Sequence, residues 1–361
     1  MLISGALKVL GPKPKTAVYE TTRDRYFLCQ VLDRRIFHGF RTPNILDSSA
    51  NPWLDFLPPE RAYTLAQELN NNLENFCSTS PEAEGFPGLK SIYGFGLLPL
   101  VPGVSVSSVL DVIKQISSLP HISGIIMGTR GVGNGLDDDT LEPVWEALQK
   151  ANLVVFIHPH YGVDSKSFGD KANGHVLPLA LGFPFETTIV SWVTLSGNPP
   201  YAISQAITRL ILAGVLDRYP NLRLLLAHSG GALPQLSSRL ASCITHDPIV
   251  AKRLKHDARY YLGKLYFDAV AYGAEELGFV SDVIGRAEAY NTAGGEYDAD
   301  VGSTRLLFGT DHPFFPPLEA TQKWQSVEDN LKAIRSVRTW GDSARANVLG
   351  LNALKLFNLE R

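Results

Sequence analysis

Two patterns alternate along this chain and constrain its fold more than any other feature. A short unbroken apolar run is followed by a stretch in which apolar residues return every three or four positions. The runs at 123–129, 153–158, 222–228 and 305–311 each hold three or more apolar residues at successive positions, so each would be a strand buried on both faces. The stretches 104–119, 139–150, 205–216 and 275–284 have helical spacing. So does 58–78, which opens on Pro58-Pro59-Glu60 and lines up Ala62, Leu65, Ala66, Leu69, Leu73 and Phe76. Strands buried on both faces and joined through helices run parallel. With 89–100, 265–270 and a weaker run at 45–50, the strands number seven, and a closed barrel of this type uses eight.

The expected fold is therefore α/β, a (β/α)8 TIM-type barrel whose first strand is divergent or missing. Residues 1–44 offer only Ala6-Leu7-Lys8-Val9-Leu10 as a poor substitute. The rival architecture, an open doubly wound sheet, would carry a G-x-G-x-x-G turn after its first strand, and none stands there. Gly131-Val132-Gly133-Asn134-Gly135 lacks both the spacing and the helix N-terminus that cradle phosphate, so it reads as a loop. The expected organisation is a divergent segment, 1–50, followed by one barrel domain, 51–361.

Charge narrows the partners. With 33 basic and 36 acidic residues the net charge is −3, which argues against nucleic acid and against a polybasic membrane anchor. No run approaches the roughly 18 apolar residues of a bilayer span. The opening Met1-Leu2-Ile3-Ser4-Gly5-Ala6-Leu7 has no basic flank or cleavage site, so no secretory signal is expected. Cys29, Cys77 and Cys243 are too few for a disulfide scaffold or a thiolate cluster, which suits a cytoplasmic location.

A parallel barrel aims all its strand ends at one mouth, where the chemistry sits. Three apolar runs end in groups that titrate or bind metal: His158-Pro159-His160, His228-Ser229-Gly230-Gly231 and Thr310-Asp311-His312-Pro313. One such histidine would more often be structural; three converging ends favour a metal-assisted site. Imidazole and carboxylate suit Zn2+ and its neighbours, and catalytic zinc keeps an open position. His158 and Asp311 are the best ligand candidates. His160 could orient a ligand or line the pocket, and His175 could reach substrate or simply pack. His312 turns away from the pocket in this reading. His38, His121, His246 and His256 have no site context, and Asp137-Asp138-Asp139 reads as a helix cap. Arg239 is either a surface arginine or a guanidinium gripping a substrate carboxylate. Phe314-Phe315 forms either an aromatic wall or plain core.

These segments resemble a family. Gly124-Ile125-Ile126-Met127-Gly128-Thr129, His158-Pro159-His160-Tyr161-Gly162 and the stretch from Gly174-His175-Val176-Leu177-Pro178 to Gly182-Phe183-Pro184 are similar to the amidohydrolase-superfamily decarboxylases. So are Leu225-Leu226-Ala227-His228-Ser229-Gly230-Gly231 and Phe308-Gly309-Thr310-Asp311-His312-Pro313-Phe314-Phe315. The likeness is to the aminocarboxymuconate-semialdehyde decarboxylase group, and within it to the uracil-5-carboxylate (isoorotate) decarboxylases. It runs from about Asn51 to the C-terminus. The resemblance implies one divalent metal, Zn2+ or another such as Mn2+, with His158 and Asp311 among its ligands. It further implies His228 as a proton-relaying histidine, with Arg239 and Phe314 at substrate-contact positions; His160 and His175 join them as candidate substrate contacts from their places in the sequence alone. The implied reaction is non-oxidative decarboxylation of a planar ring acid, with protonated Asp311 delivering a proton to the ring carbon. A small-molecule acid as partner and a homodimer complete the expectation.

Two features depart from the family pattern. The His-x-His pair expected on the first strand is absent from 1–50, where His38 is the one histidine. The segment Val190-Ser191-Trp192-Val193-Thr194-Leu195-Ser196-Gly197-Asn198-Pro199-Pro200 interrupts a helical pattern with a Gly-Asn-Pro-Pro breaker. A gene model with a lost first exon and a retained intron would explain both, which transcript sequencing tests. A metal-dependent hydrolase of a cyclic amide or lactone and a non-catalytic homologue stand as alternatives.

Overall fold

The computed structural model describes residues 54, 57–83, 86–159, 178–188, 206–311 and 323–359. It describes the backbone alone at 19–20, 25–26, 44–47, 178–179 and 188. Seven strands form one sheet: β1 (Asn44–Asp47), β2 (Ile92–Leu97), β3 (Ile122–Met127), β4 (Val154–Ile157), β5 (Arg223–Leu226), β6 (Tyr266–Asp268) and β7 (Leu306–Leu307). They lie side by side in chain order, each parallel to the next. Strands that neighbour one another in strict chain order wind a barrel wall, whereas a doubly wound sheet reverses order at a switch point. Among the described residues β1 and β7 are not paired with each other. The weak run at 45–50 is thus a true strand, while Ala6-Leu7-Lys8-Val9-Leu10 lies outside the described residues.

The expected strand at 89–100 divides in two. Phe86–Lys90 pairs antiparallel with Glu82–Ala83, and β2 then begins at Ile92. The break falls where the Ser91 N–H turns to the Pro81 carbonyl at 2.8 Å.

The helices follow the strands. Among them are α1 (Pro59–Ser78), α2 (Val106–Ser117), α3 (Glu142–Lys150), α4 (Phe183–Thr188), α5 (Ala206–Leu212), α6 (Leu233–Thr245), α7 (Ala274–Gly285) and α8 (Gln325–Ser336). Ser105 caps α2 by accepting the Ser108 N–H at 3.1 Å. The helix expected over 139–150 begins as a 3-10 turn, Asp139–Leu141, capped by Asp138, which accepts the Thr140 N–H at 2.9 Å. The neighbouring Asp137 pairs with Arg209 at 2.6 Å, so this acidic run is structural. The helix expected over 205–216 breaks at Gly214, whose φ of 71° is left-handed, and a short turn, Val215–Arg218, follows.

Side-chain alternation along each strand separates two cores. Ile125, Met127, Val155, Ile157, Leu224 and Leu226 pack outward against the helix layer with Trp145, Ile116 and Leu210. Ile126, Val154, Phe156 and Leu225 point inward and fill the barrel with Phe95, Leu97, Leu307 and Phe357. This period of two is the pleat of a barrel strand, and it decides which strand-end residue faces the mouth. Phe156 is inward, so His158 is inward too; their rings meet edge-on at 5.5 Å.

Candidate active site

Four strand ends come together at the mouth, His158 by the inward register of its strand and His228 by the left-handed turn that follows Ala227. His158 follows β4, His228 follows β5, Asp268 closes β6 and Asp311 follows β7. The His158 and His228 rings lie 5.3 Å apart. His158 Nδ1 lies 2.8 Å from the Pro159 carbonyl. Donation to that carbonyl puts the ring proton on Nδ1, so the lone pair is on Nε2. Burial pushes the His158 pKa down to about 3; nearby His228 adds to the effect, and Asp311 opposes it. Burial likewise takes His228 down to about 4. Both rings are neutral at neutral pH, and neutral imidazole is the metal-binding form.

Asp311 is held from across the mouth. The Tyr272 hydroxyl donates to Asp311 Oδ2 at 2.8 Å, and the Tyr272 N–H donates to Asn330 Oδ1 at 2.9 Å. Burial raises the Asp311 pKa, against the Tyr272 bond and the His158 ring, which lower it. A recessed carboxyl with a raised pKa can carry a proton at a pH where ordinary carboxylates have lost theirs.

Backbone strain concentrates here. Among the described residues six non-glycine positions have positive φ, and four of them, His228, Ser229, Tyr272 and Asp311, are in this cluster at 52–58°. Each costs about 1–3 kcal/mol and persists only where surrounding contacts hold it, a pattern typical of functional sites. Asp268 supplies such contacts. Its buried carboxylate accepts the His228 N–H at 3.0 Å, the Ser229 N–H at 2.9 Å and the Val270 N–H at 3.1 Å. Burial pushes its pKa up to about 7, resisted by those three donors. Nearby, Thr129 at the end of β3 donates to Glu186 of α4 at 2.6 Å, with both side chains buried.

The sequence candidates separate accordingly. His158, His228 and Asp311 converge. Arg239 lies exposed on α6, less than two turns from its start. His160, His175, His312 and Phe314 lie outside the described residues, as do His38 and the segment 190–200. His121 pairs with Glu74 at 2.6 Å, His246 Nδ1 lies 2.9 Å from the Ser242 carbonyl, and the His256 ring stacks on Tyr260 at 4.0 Å. All three are structural. Asp268 and Tyr272 were not among the candidates. An acid closing the strand Tyr266-Phe267-Asp268 obeys the same strand-end rule as His158 and was open to detection. Tyr272 sits four residues beyond its strand and carries no sequence signal. Among the described residues no three His, Cys, Asp or Glu side chains come close enough to hold a metal together.

Residues 94–359 match the family described as Amidohydrolase. The chain belongs to that family. Its relatives in the family include the 2-amino-3-carboxymuconate-6-semialdehyde decarboxylase of Dictyostelium discoideum, 28% identical over 303 residues, which are 84% of this chain and 68% of that protein. The structure of Metarhizium anisopliae IDCase in apo form superposes with a TM-score of 0.74 at 35% identity, covering 91% of this chain and 78% of that one. A dihydroxybenzoic acid decarboxylase from Polaromonas, solved with manganese and the inhibitor 2-nitroresorcinol, shares the fold. Its TM-score is 0.66 at 19% identity, over 92% of this chain and 87% of that one. No described helix is long and apolar enough to cross a membrane.

Proposed function

We propose that His158, His228 and Asp311 form the centre at which this chain decarboxylates a planar ring carboxylic acid, with 5-carboxyuracil as the first substrate to test. The chain is a carboxy-lyase, the class its relatives share. The observation that carries the site assignment is the recessed Asp311 carboxyl. Its pKa is raised, it is tied to Tyr272, and it stands beside two neutral imidazoles at the barrel mouth.

A divalent metal fits part of this donor set. His158 offers Nε2, and Asp311 offers a carboxylate oxygen. Two protein ligands alone hold such an ion weakly, because ligand count and geometry set affinity. Zinc suits nitrogen and oxygen donors of this kind, and the Polaromonas protein holds manganese. When bound, the ion would act as a Lewis acid and template for the substrate carboxylate.

The chain's own residues supply the proton. Asp311, protonated, delivers H+ to the ring carbon that bears the carboxylate. The bond to the carboxyl carbon then breaks, its electron pair returns to the ring, and CO2 leaves. His228 returns a proton from solvent to Asp311, so one proton is consumed per turnover. Arg239, His160, His175 and Phe314 are the proposed substrate contacts. The proposal treats 51–361 as one barrel domain, acting as a cytoplasmic homodimer.

The test is CO2 release by the purified chain with added zinc or manganese, comparing 5-carboxyuracil with hydroxybenzoates. Turnover of 5-carboxyuracil that Asp311→Ala abolishes is the expected result. Release from none of these acids would sink the proposal, and turnover unchanged in Asp311→Ala would sink the mechanism.

A further inference from the structure

One buried carboxylate holds the backbone on both sides of His228. The His228 N–H and the Ser229 N–H belong to the two peptide planes that flank the His228 α-carbon. The first donates to Asp268 Oδ2 at 3.0 Å and the second to Asp268 Oδ1 at 2.9 Å. Oδ1 also accepts the Val270 N–H at 3.1 Å, and the Ser229 hydroxyl donates to the Asp268 carbonyl at 3.0 Å. With both planes tied to one rigid group, φ and ψ of His228 are set, and so is the direction of its Cα–Cβ bond. The conformation so held is left-handed, at φ 54° for His228 and 52° for Ser229, a region uncommon for residues other than glycine.

The ring itself is not held at Nδ1. That atom is buried and has no hydrogen-bond partner among the described residues. A histidine positioned for proton transfer is commonly oriented by a carboxylate or carbonyl on its far nitrogen. Here the orienting carboxylate grips the main chain of the same residue instead. Two successive N–H groups closing on one anion form the backbone nest usually met around bound phosphate, filled in this case by the protein's own side chain.

We infer that Asp268 is a positioning residue for the reaction: its carboxylate clamps the left-handed turn that aims the His228 imidazole at His158 and the substrate. The inference takes His228 as the proton-relaying group of the proposed decarboxylase. The two hydrogen bonds that bracket His228 fall on different oxygens, so a single substitution can separate them. In Asp268→Asn the amide oxygen can keep both Ser229 and Val270. The NH2 group then faces the His228 N–H, donor against donor.

Asp268→Asn is expected to lower kcat about 100-fold, the usual cost of misplacing a reacting group by about 1 Å, with KM held within about threefold. The control is Asn70→Ala. It removes another buried clamp, whose Nδ2 donates to the Leu97 carbonyl at 3.0 Å and whose Oδ1 accepts the Leu97 N–H at 2.7 Å. Asn70→Ala should lower Tm yet leave kcat within about threefold. If Asp268→Asn loses no more kcat than Asn70→Ala does for the same change in Tm, Asp268 is merely structural and the inference is overturned. Should Asp268→Asn not fold, Asp268→Glu, which keeps the charge but moves the oxygens outward by one methylene, is read by the same criterion. Amide hydrogen exchange decides the clamp even if the wild-type chain releases no CO2. Faster exchange of the His228 and Ser229 amides in Asp268→Asn, and not in Asn70→Ala, supports it; unchanged exchange overturns it.

Discussion

The Tyr272 hydroxyl donates a 2.8 Å hydrogen bond to Oδ2 of Asp311, joining the residue four positions past β6 to the acid that follows β7. Both residues have left-handed backbones, at φ 58° and 54°, and the Tyr272 N–H is anchored by the buried amide of Asn330 at 2.9 Å. The bond favours ionised Asp311, whereas burial favours the protonated form and is the larger influence. Tyr272 therefore moderates the acid on which the proposed proton transfer depends.

Removing that moderation should shift the pH profile of kcat. The proposed reaction uses protonated Asp311, so its rate falls as pH rises through the Asp311 pKa. Tyr272→Phe deletes a donor that lowers this pKa, so the pKa rises further and the alkaline limb moves to higher pH. The same variant should lose about tenfold in kcat through freer motion of the carboxyl. An alkaline limb unmoved or displaced to lower pH would contradict the assignment.

The two histidines make the metal-free protein acid-sensitive. Unfolded histidine takes up a proton near pH 6.5, whereas folded His158 and His228 hold out to about 3 and about 4. Below pH 6.5 the unfolded state binds more protons, so the stability present above that pH is lost on acidification. The slope is about 1.4 kcal/mol per pH unit for each histidine. Thermal unfolding between pH 7 and pH 5 should show a falling Tm in the wild type and a shallower fall in His228→Gln. A flat wild-type response would mean that these rings are not buried as neutral groups.

Metal should stabilise the folded chain. At a free zinc or manganese concentration one hundred times Kd, binding adds about 2.7 kcal/mol. Dialysis against a chelator should lower Tm and decarboxylation together, and re-addition of the ion should restore both. In His158→Ala the chelator should make no difference to Tm. A Tm in the wild type that ignores both chelator and added metal would remove the ion from the site.

Gly124 is irreplaceable for a steric reason. A Cβ there would stand 2.3 Å from the Val154 carbonyl oxygen and 2.9 Å from the Phe95 ring, and the strand backbone cannot retreat. Gly124→Ala should cost about 3 kcal/mol. Gly278, in the middle of α7, is the contrast: its Cβ would meet Val337 Cγ1 at 3.5 Å, an ordinary contact. Gly278→Ala should gain about 0.5–1 kcal/mol. Equilibrium urea unfolding of both variants checks the pair, and equal effects would refute the packing argument.

The fold was largely legible in the chain because burial on both faces leaves an unbroken apolar run that no exposed strand needs. Val154-Val155-Phe156-Ile157 and Leu224-Leu225-Leu226 mark β4 and β5 in this way, and His158 and His228 stand just beyond these runs. What escaped was local: the split at Ser91 and the break at Gly214 depend on where single backbone N–H groups and φ angles find partners. Arg239 shows the same limit from the other side. It is a candidate substrate contact by its place on a helix near His228, and helix phase alone did not say how exposed its side chain on α6 is.

By itself, then, the sequence determined the alternation of buried strands and helices, and with it the parallel sheet, its chain-order winding and the strand ends after which His158, His228 and Asp311 stand. These follow from periodicity, which is a property of neighbours along the chain. The tertiary structure decided which groups hold those three in place. Asp268 reaches His228 across 40 positions and Tyr272 reaches Asp311 across 39. Such bonds form between strand ends that adjoin only once the sheet is wound, so no local pattern records them.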